Sequence, residues 1–250
     1  MEAILYIAGR AMRLGEHTHG RHKVLLEFGG QSLLERHVMF LAHLGVPKLS
    51  IVTGHLREQI QAALPALATR YGIEIAEFYN ADFAEGSALS MHASLPALEA
   101  AKERVLLMDG DVLYDHRMLK GLLDSTHRTA LLVDRGYSTA DDDPVLVPMR
   151  NGKPFDFVKR WRGEADSIGE SVGFFKIGQP ELPLLISETR TRADGAGRAE
   201  SYDDILRVLV KAGLFGAVDV TGVPWTEIDF PQDIHYAKSV VLPALQSICR

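Results

Sequence analysis

The chain has 250 residues, is 46% hydrophobic and 24% charged, and carries a formal net charge of -6. That length fits one substantial α/β domain or two small ones, and the apolar share is enough for a sizeable core. The acidic balance leaves no global footprint for nucleic acid or an anionic membrane, and one cysteine, Cys249, precludes an intrachain disulfide and fits a reducing compartment.

Residues 2–7 are a short apolar run, the pattern of a strand buried on both faces. Beginning at once, it is expected to leave no room for a signal peptide. No apolar run approaches the roughly 20 residues of a spanning helix, so a cytoplasmic protein without membrane insertion is expected. The strand ends in Ala8-Gly9. The loop from there to Val24 carries Arg10, Arg13, Arg21 and Lys23 against one acid, Glu16. Gly9, Gly15 and Gly20 let such a backbone bend and approach a ligand. A strand emptying into a cationic, glycine-bearing loop suits several phosphates, although on charge alone a solvated basic loop is the plainer reading. A Walker-type phosphate loop and a GxGxxG pattern are both absent from the sequence.

Ser32-Leu33-Leu34-Glu35 reads as a capping box, opening a helix with Leu33, Leu34, Val38, Leu41 and Leu44 at helical spacing and Gly45 at its end. Strands follow at 48–53, 73–78 and 105–108, alternating with helices at 56–70 and 87–101. This rhythm predicts a mostly parallel sheet with helices on both faces. Beyond residue 116 the rhythm loosens: a helix at 118–123, a strand at 129–133 and an acidic loop at 137–144 holding Asp141, Asp142 and Asp143. A solvated turn is the plainer reading of those acids, with contact to a cationic substrate as the alternative. Asn151-Gly152 signals a hairpin between 145–149 and 155–158. A strand at 171–177, a mobile loop at 191–199, a helix at 201–209, a strand at 216–220 and a helix from Pro231 complete the chain.

Asp109 and Asp111 follow the strand VLLM, where open α/β sheets bind ligands, although an acid there can simply cap the next turn. Late in the chain, Glu227 and Asp229 alternate along an extended segment and share a face if it is a strand. Asp233 fits as first-turn charge on the last helix. His17, His19 and His22 have no recognised ligand spacing.

The run IAGRAMRLG…T…HKVLLEFGGQSLLER resembles the opening signature of the nucleotidyltransferases that load a phosphorylated alcohol or sugar onto a nucleotide. The resemblance implies that Ala8 and Gly9 face the base and that Arg13 and Lys23 hold the triphosphate. Ala11 departs from a frequent second glycine, and His22 from a proline before the lysine. MDGDV and PWTEID resemble the family's two metal-bearing segments. They assign magnesium to Asp111 and Asp229 and put Asp109 on the nucleotide side. Two carboxylates sharing one ion would repel each other in its absence.

NADFAEGS resembles the segment around base and ribose, with Gly86 and Ser87 as its contacts. Lys159, Glu170 and Gly173, in VKRW and GESVGFFKI, resemble the acceptor side, with Lys159 implied as a catalytic cation that neutralises the acceptor phosphate or the α-phosphate in the transition state. Phe155, Trp161, Phe174 and Phe175 would suit a quaternary ammonium, although core or cross-strand pairing is the plainer reading. The wording is closest to the branch making CDP-alcohols from phosphocholine, 2-aminoethylphosphonate or inositol phosphate.

The expectation is therefore an α/β, Rossmann-like, mostly parallel mixed sheet with helices on both faces and a small acceptor lobe. It forms one domain over 1–250: a nucleotide half to about 115, then an acceptor half. The expected activity is magnesium-dependent transfer of CMP from CTP to a small phosphorylated or phosphonylated alcohol or amine. A sugar-1-phosphate nucleotidyltransferase using another nucleotide is the near alternative. A D-x-D glycosyltransferase and a catalytically silent nucleotide-binding subunit are more distant. No nucleic-acid partner is expected, and a homo-oligomer is compatible with the sequence.

Overall fold

The computed structural model describes residues 1–136 and 144–246. Asp141, Asp142, Asp143 and Cys249 lie outside the described residues. All five residues of β1 (Glu2–Tyr6) are buried, between two parallel neighbours. Next come the two-residue strands β2 (Glu27–Phe28) and β3 (Gln31–Ser32), then α1 (Leu33–His43), β4 (Lys48–Thr53), α2 (Arg57–Tyr71) and β5 (Glu74–Tyr79). After α3 (Ala88–Ala93) and α4 (Leu95–Ala100) come β6 (Val105–Asp109), β7 (Val112–Tyr114), α5 (His116–Asp124) and β8 (Ala130–Asp134). The later chain forms β9 (Leu146–Arg150), β10 (Lys153–Pro154), β11 (Ser167–Ile177), α6 (Leu182–Ala193), α7 (Tyr202–Lys211), β12 (Gly216–Asp219), β13 (Trp225–Glu227) and α8 (Pro231–Tyr236).

One sheet runs β10-β9-β11-β6-β1-β4-β5, with β8 on β11 and β12 on β8. The run β6-β1-β4-β5 is parallel, and β11 joins it antiparallel to β6. Side chains alternate across β1: Ala3 and Leu5 pack with α1 and α5, Ile4 and Tyr6 with α3 and α7. Two apolar layers, one on each face, therefore make the expected mostly parallel mixed sheet with helices on both sides.

Where expectation and structure differ, single residues explain it. The predicted helix over 87–101 is two short ones, because Ser94 ends α3 and Pro96 opens α4. Ser32 caps α1 by accepting from the Glu35 amide at 3.1 Å, but the Glu35 carboxylate turns instead to Arg70 and the Tyr71 hydroxyl, both at 2.7 Å. Asn151 and Gly152 both have positive φ, as their hairpin turn requires, yet of the returning arm over 153–158 the ladder to β9 holds β10 and a single Val158–Leu146 bridge. Residues 191–193 continue α6, and the turn after them is tied down: Arg198 reaches Asp82 at 3.1 Å and Glu85 at 2.8 Å.

His37, fully buried on α1, holds the turn after β6, its Nε2 lying 3.1 Å from the Gly110 carbonyl. A carbonyl only accepts, so Nε2 carries the proton. Burial lowers the His37 pKa to about 4, and His22, also buried, likewise falls to about 4. Both stay neutral in the folded chain while the unfolded histidine takes up a proton below about 6.5. Stability is thus complete above that value and lost as pH falls towards 4, by about 3 kcal/mol for each histidine. Urea melts of wild type and His37→Gln across that range check this: the variant's loss should be shallower.

Candidate active site

β1 and β6 end side by side, with Tyr6 opposite Asp109, so the opening loop and the Asp109-Gly110-Asp111 turn emerge at the same carboxyl edge. Gly110 sits against Ile7, leaving no room for a Cβ. β13 pairs antiparallel with β7, and the Ile228 amide donates to the Asp111 carbonyl at 2.9 Å. That pairing carries Asp229 back to Asp111 from far along the chain. Asp233 fixes the end of the segment by accepting from the Asp229 and Phe230 amides at 2.9 and 2.7 Å, capping α8 as well as charging its first turn.

Between the two aspartates lies Lys23. Its Nζ is 2.5 Å from Asp111 Oδ2 and 2.7 Å from Asp229 Oδ1. The two oxygens can lie no further apart than the sum of those distances, about 5.2 Å. Arg13 donates to the other oxygen of Asp229 at 2.6 Å, and its guanidinium lies 4.8 Å from the Phe230 ring centroid. The four charged groups assigned to phosphate and metal thus meet at one point. In this arrangement the cations contact the acids themselves.

Burial works to raise the Asp229 carboxyl, but Lys23, Arg13 and Lys159 outweigh it and hold the pKa below the usual range. Burial likewise disfavours a charged Lys23, and Asp111 and Asp229 overcome it, raising the pKa of the ammonium. Glu227 moves the opposite way: burial, then the charges of Asp111, Asp109, Asp229 and Glu170, push its carboxyl well above the usual range. Asp109 is pushed up by burial and by Asp111, and a hydrogen bond from the Tyr202 hydroxyl partly offsets this.

The remaining predicted residues divide. Ala8 is buried and its carbonyl accepts from His55, whereas Gly9 has open space where a side chain would stand. A cleft of about 310 Å³ beside Gly9 is lined by Arg10, Gly15, Gly20, Arg21 and Lys23. Gly86 is a glycine for a different reason than approach of a ligand: the backbone of residues 198–200 fills the place of its Cβ. Ser87 makes no side-chain cap on α3; its hydroxyl accepts from the Tyr202 amide at 3.0 Å and pairs with Ser201. Gly173 has φ +78° and lies against the Asp109 carboxylate. Glu170 is buried on β11 opposite Asp134, and Lys159 is exposed in the loop after β10. Phe174 and Phe175 are core residues, closed to an ammonium, whereas Phe155 and Trp161 form an edge-to-face pair at 5.4 Å.

Tyr202, Arg198 and His37 were not legible as site residues. Tyr202 stacks on Tyr6 at 5.3 Å while its hydroxyl reaches Asp109. Its only sequence signal is its place after the Ser201 cap, which predicts a helix and no chemistry. Arg198 ties Asp82 and Glu85 to the turn that follows α6. Arg198→Ala should raise amide hydrogen exchange in 80–87 and 194–201 together, leaving β1 and β6 protected. The two departures in the opening loop are also explained. Ala11 adopts left-handed backbone at φ 51°, where glycine is favoured. His22 uses the amide that a proline lacks to donate to Gln59 at 2.8 Å.

Among the described residues no group of three or more His, Cys, Asp or Glu forms a metal cage. Two carboxylates are nevertheless what magnesium needs when phosphates and water complete its shell. The donors fit such an ion: both are hard oxygens, and both already converge on one cation, the Lys23 ammonium.

Residues 3–197 match the MobA-like NTP transferase domain. A bifunctional IPC transferase and DIPP synthase of Rubrobacter xylanophilus is 28% identical over 243 residues, which are 96% of this chain and 52% of that protein. A CMP-5'-(3-aminopropyl)phosphonate synthase of Streptomyces rubellomurinus is 26% identical, over 95% of this chain and 38% of that protein. The chain thus spans about half, or less, of these relatives. The structure of the inositol-1-phosphate CTP transferase from T. maritima superposes with a TM-score of 0.76 at 20% identity, covering 98% of each chain, a likeness of fold.

Proposed function

The chain belongs to the MobA-like NTP transferase family, and we propose that within it this protein is a magnesium-dependent cytidylyltransferase. Its acceptor would be a small phosphorylated or phosphonylated alcohol or amine. An acceptor oxygen forms a bond to the α-phosphorus of CTP, the bond from that phosphorus to the bridging oxygen breaks, and pyrophosphate leaves. The observation that carries the reading is the meeting of Arg13, Lys23, Asp111 and Asp229 from separate segments. The names of two similar proteins, an aminopropylphosphonate CMP synthase and an inositol-1-phosphate CTP transferase, support cytidine and a small phosphorus acid.

Arg13 and Lys23 neutralise the triphosphate and then the departing pyrophosphate. Gly9 admits the nucleotide against bare backbone, and the segment holding Gly86 and Ser87 flanks the base and ribose. Asp109 lies on the nucleotide side of the turn. Asp111 and Asp229 would hold the magnesium, which when bound draws charge from the α-phosphate. Lys159, with Glu170 and Gly173 on the same side, meets the acceptor. A side-chain nucleophile is not required, because positioning and charge neutralisation supply the catalysis.

Pyrophosphate release decides the reading. CTP, UTP, GTP and ATP are each assayed with phosphocholine, 2-aminoethylphosphonate, inositol phosphate and sugar 1-phosphates. Fastest release with CTP and a non-sugar acceptor is expected. Faster release with another nucleotide and a sugar 1-phosphate would replace this reading by the sugar-nucleotide one. No release with any pair would favour a silent nucleotide-binding subunit.

A further inference from the structure

Lys23 has a task in the substrate-free protein that its part in triphosphate binding does not explain. Its side chain is only 12% exposed, and its ammonium touches one oxygen of each carboxylate assigned to the metal. With Arg13 on the far oxygen of Asp229, two positive groups face the two carboxylates. We propose that Lys23 is the internal counter-ion of the metal carboxylates, occupying the cation's place between Asp111 and Asp229 until a triphosphate draws its ammonium away. For the identity of the triphosphate this rests on the nucleotidyl-transfer reading; the exchange itself does not.

The argument is one of competition. A divalent ion arriving alone must displace an ammonium already paired with both carboxylates. A nucleotide arriving alone pulls the ammonium off and leaves two like charges within about 5.2 Å of each other, which favours a cation. Each ligand therefore prepares the site for the other, and the coupling is reciprocal. Lysine suits the exchange, being a compact charge on a flexible stem. Arg13 suits it less: its side chain is 47% exposed and reaches Asp229 at the oxygen that Lys23 does not hold.

The test uses the full chain and Mn²⁺ as probe, with free ion measured by electron paramagnetic resonance and melting followed in parallel. Lys23→Gln should bind Mn²⁺ alone about tenfold more tightly than wild type, and Arg13→Gln about threefold or less. Adding Asp111→Asn to Lys23→Gln should abolish the gain. Wild type should be stabilised by Mn²⁺ and CTP together and little by either alone, whereas Lys23→Gln responds to Mn²⁺ alone. Equal Mn²⁺ binding by wild type and Lys23→Gln overturns the proposal. So does an equal gain in Arg13→Gln, which would mark a general charge effect, or a gain that survives Asp111→Asn. Lys23→Met, which keeps the length of the stem, repeats the comparison should the glutamine variant misfold. If no nucleoside triphosphate shifts wild-type melting, the nucleotidyl-transfer reading fails, while Mn²⁺ binding alone still decides the role of Lys23.

Discussion

Asp229→Asn is expected to lower turnover by roughly three orders of magnitude, the few kcal/mol that charge stabilisation through one bound ion supplies. Asparagine keeps the shape of the side chain and removes one charge from the carboxylate pair. Part of the loss should return at high magnesium. Asp111→Asn should behave alike, and the double variant should be little worse than the worse single one, because both act through the same ion. Steady-state pyrophosphate release against magnesium concentration measures all three.

The sequence alone suggests that such a substitution relieves repulsion between two carboxylates and so preserves or raises metal-free stability. The structure reverses that expectation for Asp229. Lys23 already compensates the pair, and Asp229 also holds Arg13. Its carboxyl stays below the usual range, so its contribution is present above the unfolded value near 3.9 and disappears as pH falls through the lower folded one. Metal-free Asp229→Asn should therefore melt slightly earlier at neutral pH, by roughly 2–4 °C for a loss of about 1 kcal/mol. The difference should vanish in acid.

Gly173→Ala and Gly9→Ala should fail in opposite ways. At Gly173 a methyl group meets left-handed backbone, which costs about 1–2 kcal/mol, and overlaps the Asp109 carboxylate, which costs about 1–3 kcal/mol more. Asp109 Cγ and Cβ lie only 2.9 and 3.0 Å from where that carbon would stand. The variant should melt several degrees lower and lose most activity, since Asp109 must leave its place between Gly173 and Tyr202. Gly9 has nothing within 4 Å of its missing side chain. Gly9→Ala should melt like wild type and instead raise the KM for nucleotide, by about tenfold if the chain approaches the ligand there. Melting curves and nucleotide titrations on the two variants separate a glycine kept for the fold from one kept for a ligand.

The contrast also shows what a sequence makes legible. Burial on both faces made β1 readable, and the Ser32 cap and the Asn151-Gly152 turn were readable because each acts within four residues. The resemblance of two distant segments marked Asp111 and Asp229, and antiparallel pairing of β7 with β13 supplies the physical reason they meet. Local pattern could not say that Glu35 would leave its own cap for Arg70, or that Gly86 answers to residues 198–200. It also could not say that a tyrosine on α7 would donate to Asp109. Those contacts depend on how helices of the second half pack across the sheet, and no spacing encodes that. Lys23 was read as a site cation from the resemblance; its pairing with Asp111 and Asp229 follows from the fold alone.

β11 carries a last consequence. One end of this strand zips onto β6, beside the turn of Asp109 to Asp111, and the other onto β9, beside the loop that holds Lys159. The described chain consequently has no seam at β11: the strands before and after residue 115 share this spine, and neither set can be lifted out without breaking its ladders. Retargeting such a protein to a new acceptor is then a matter of repainting side chains along β9 to β11 and the loop between them. Exchanging the later strands as a block would strip β6 of a hydrogen-bonded neighbour and leave a raw, sticky edge beside the candidate site.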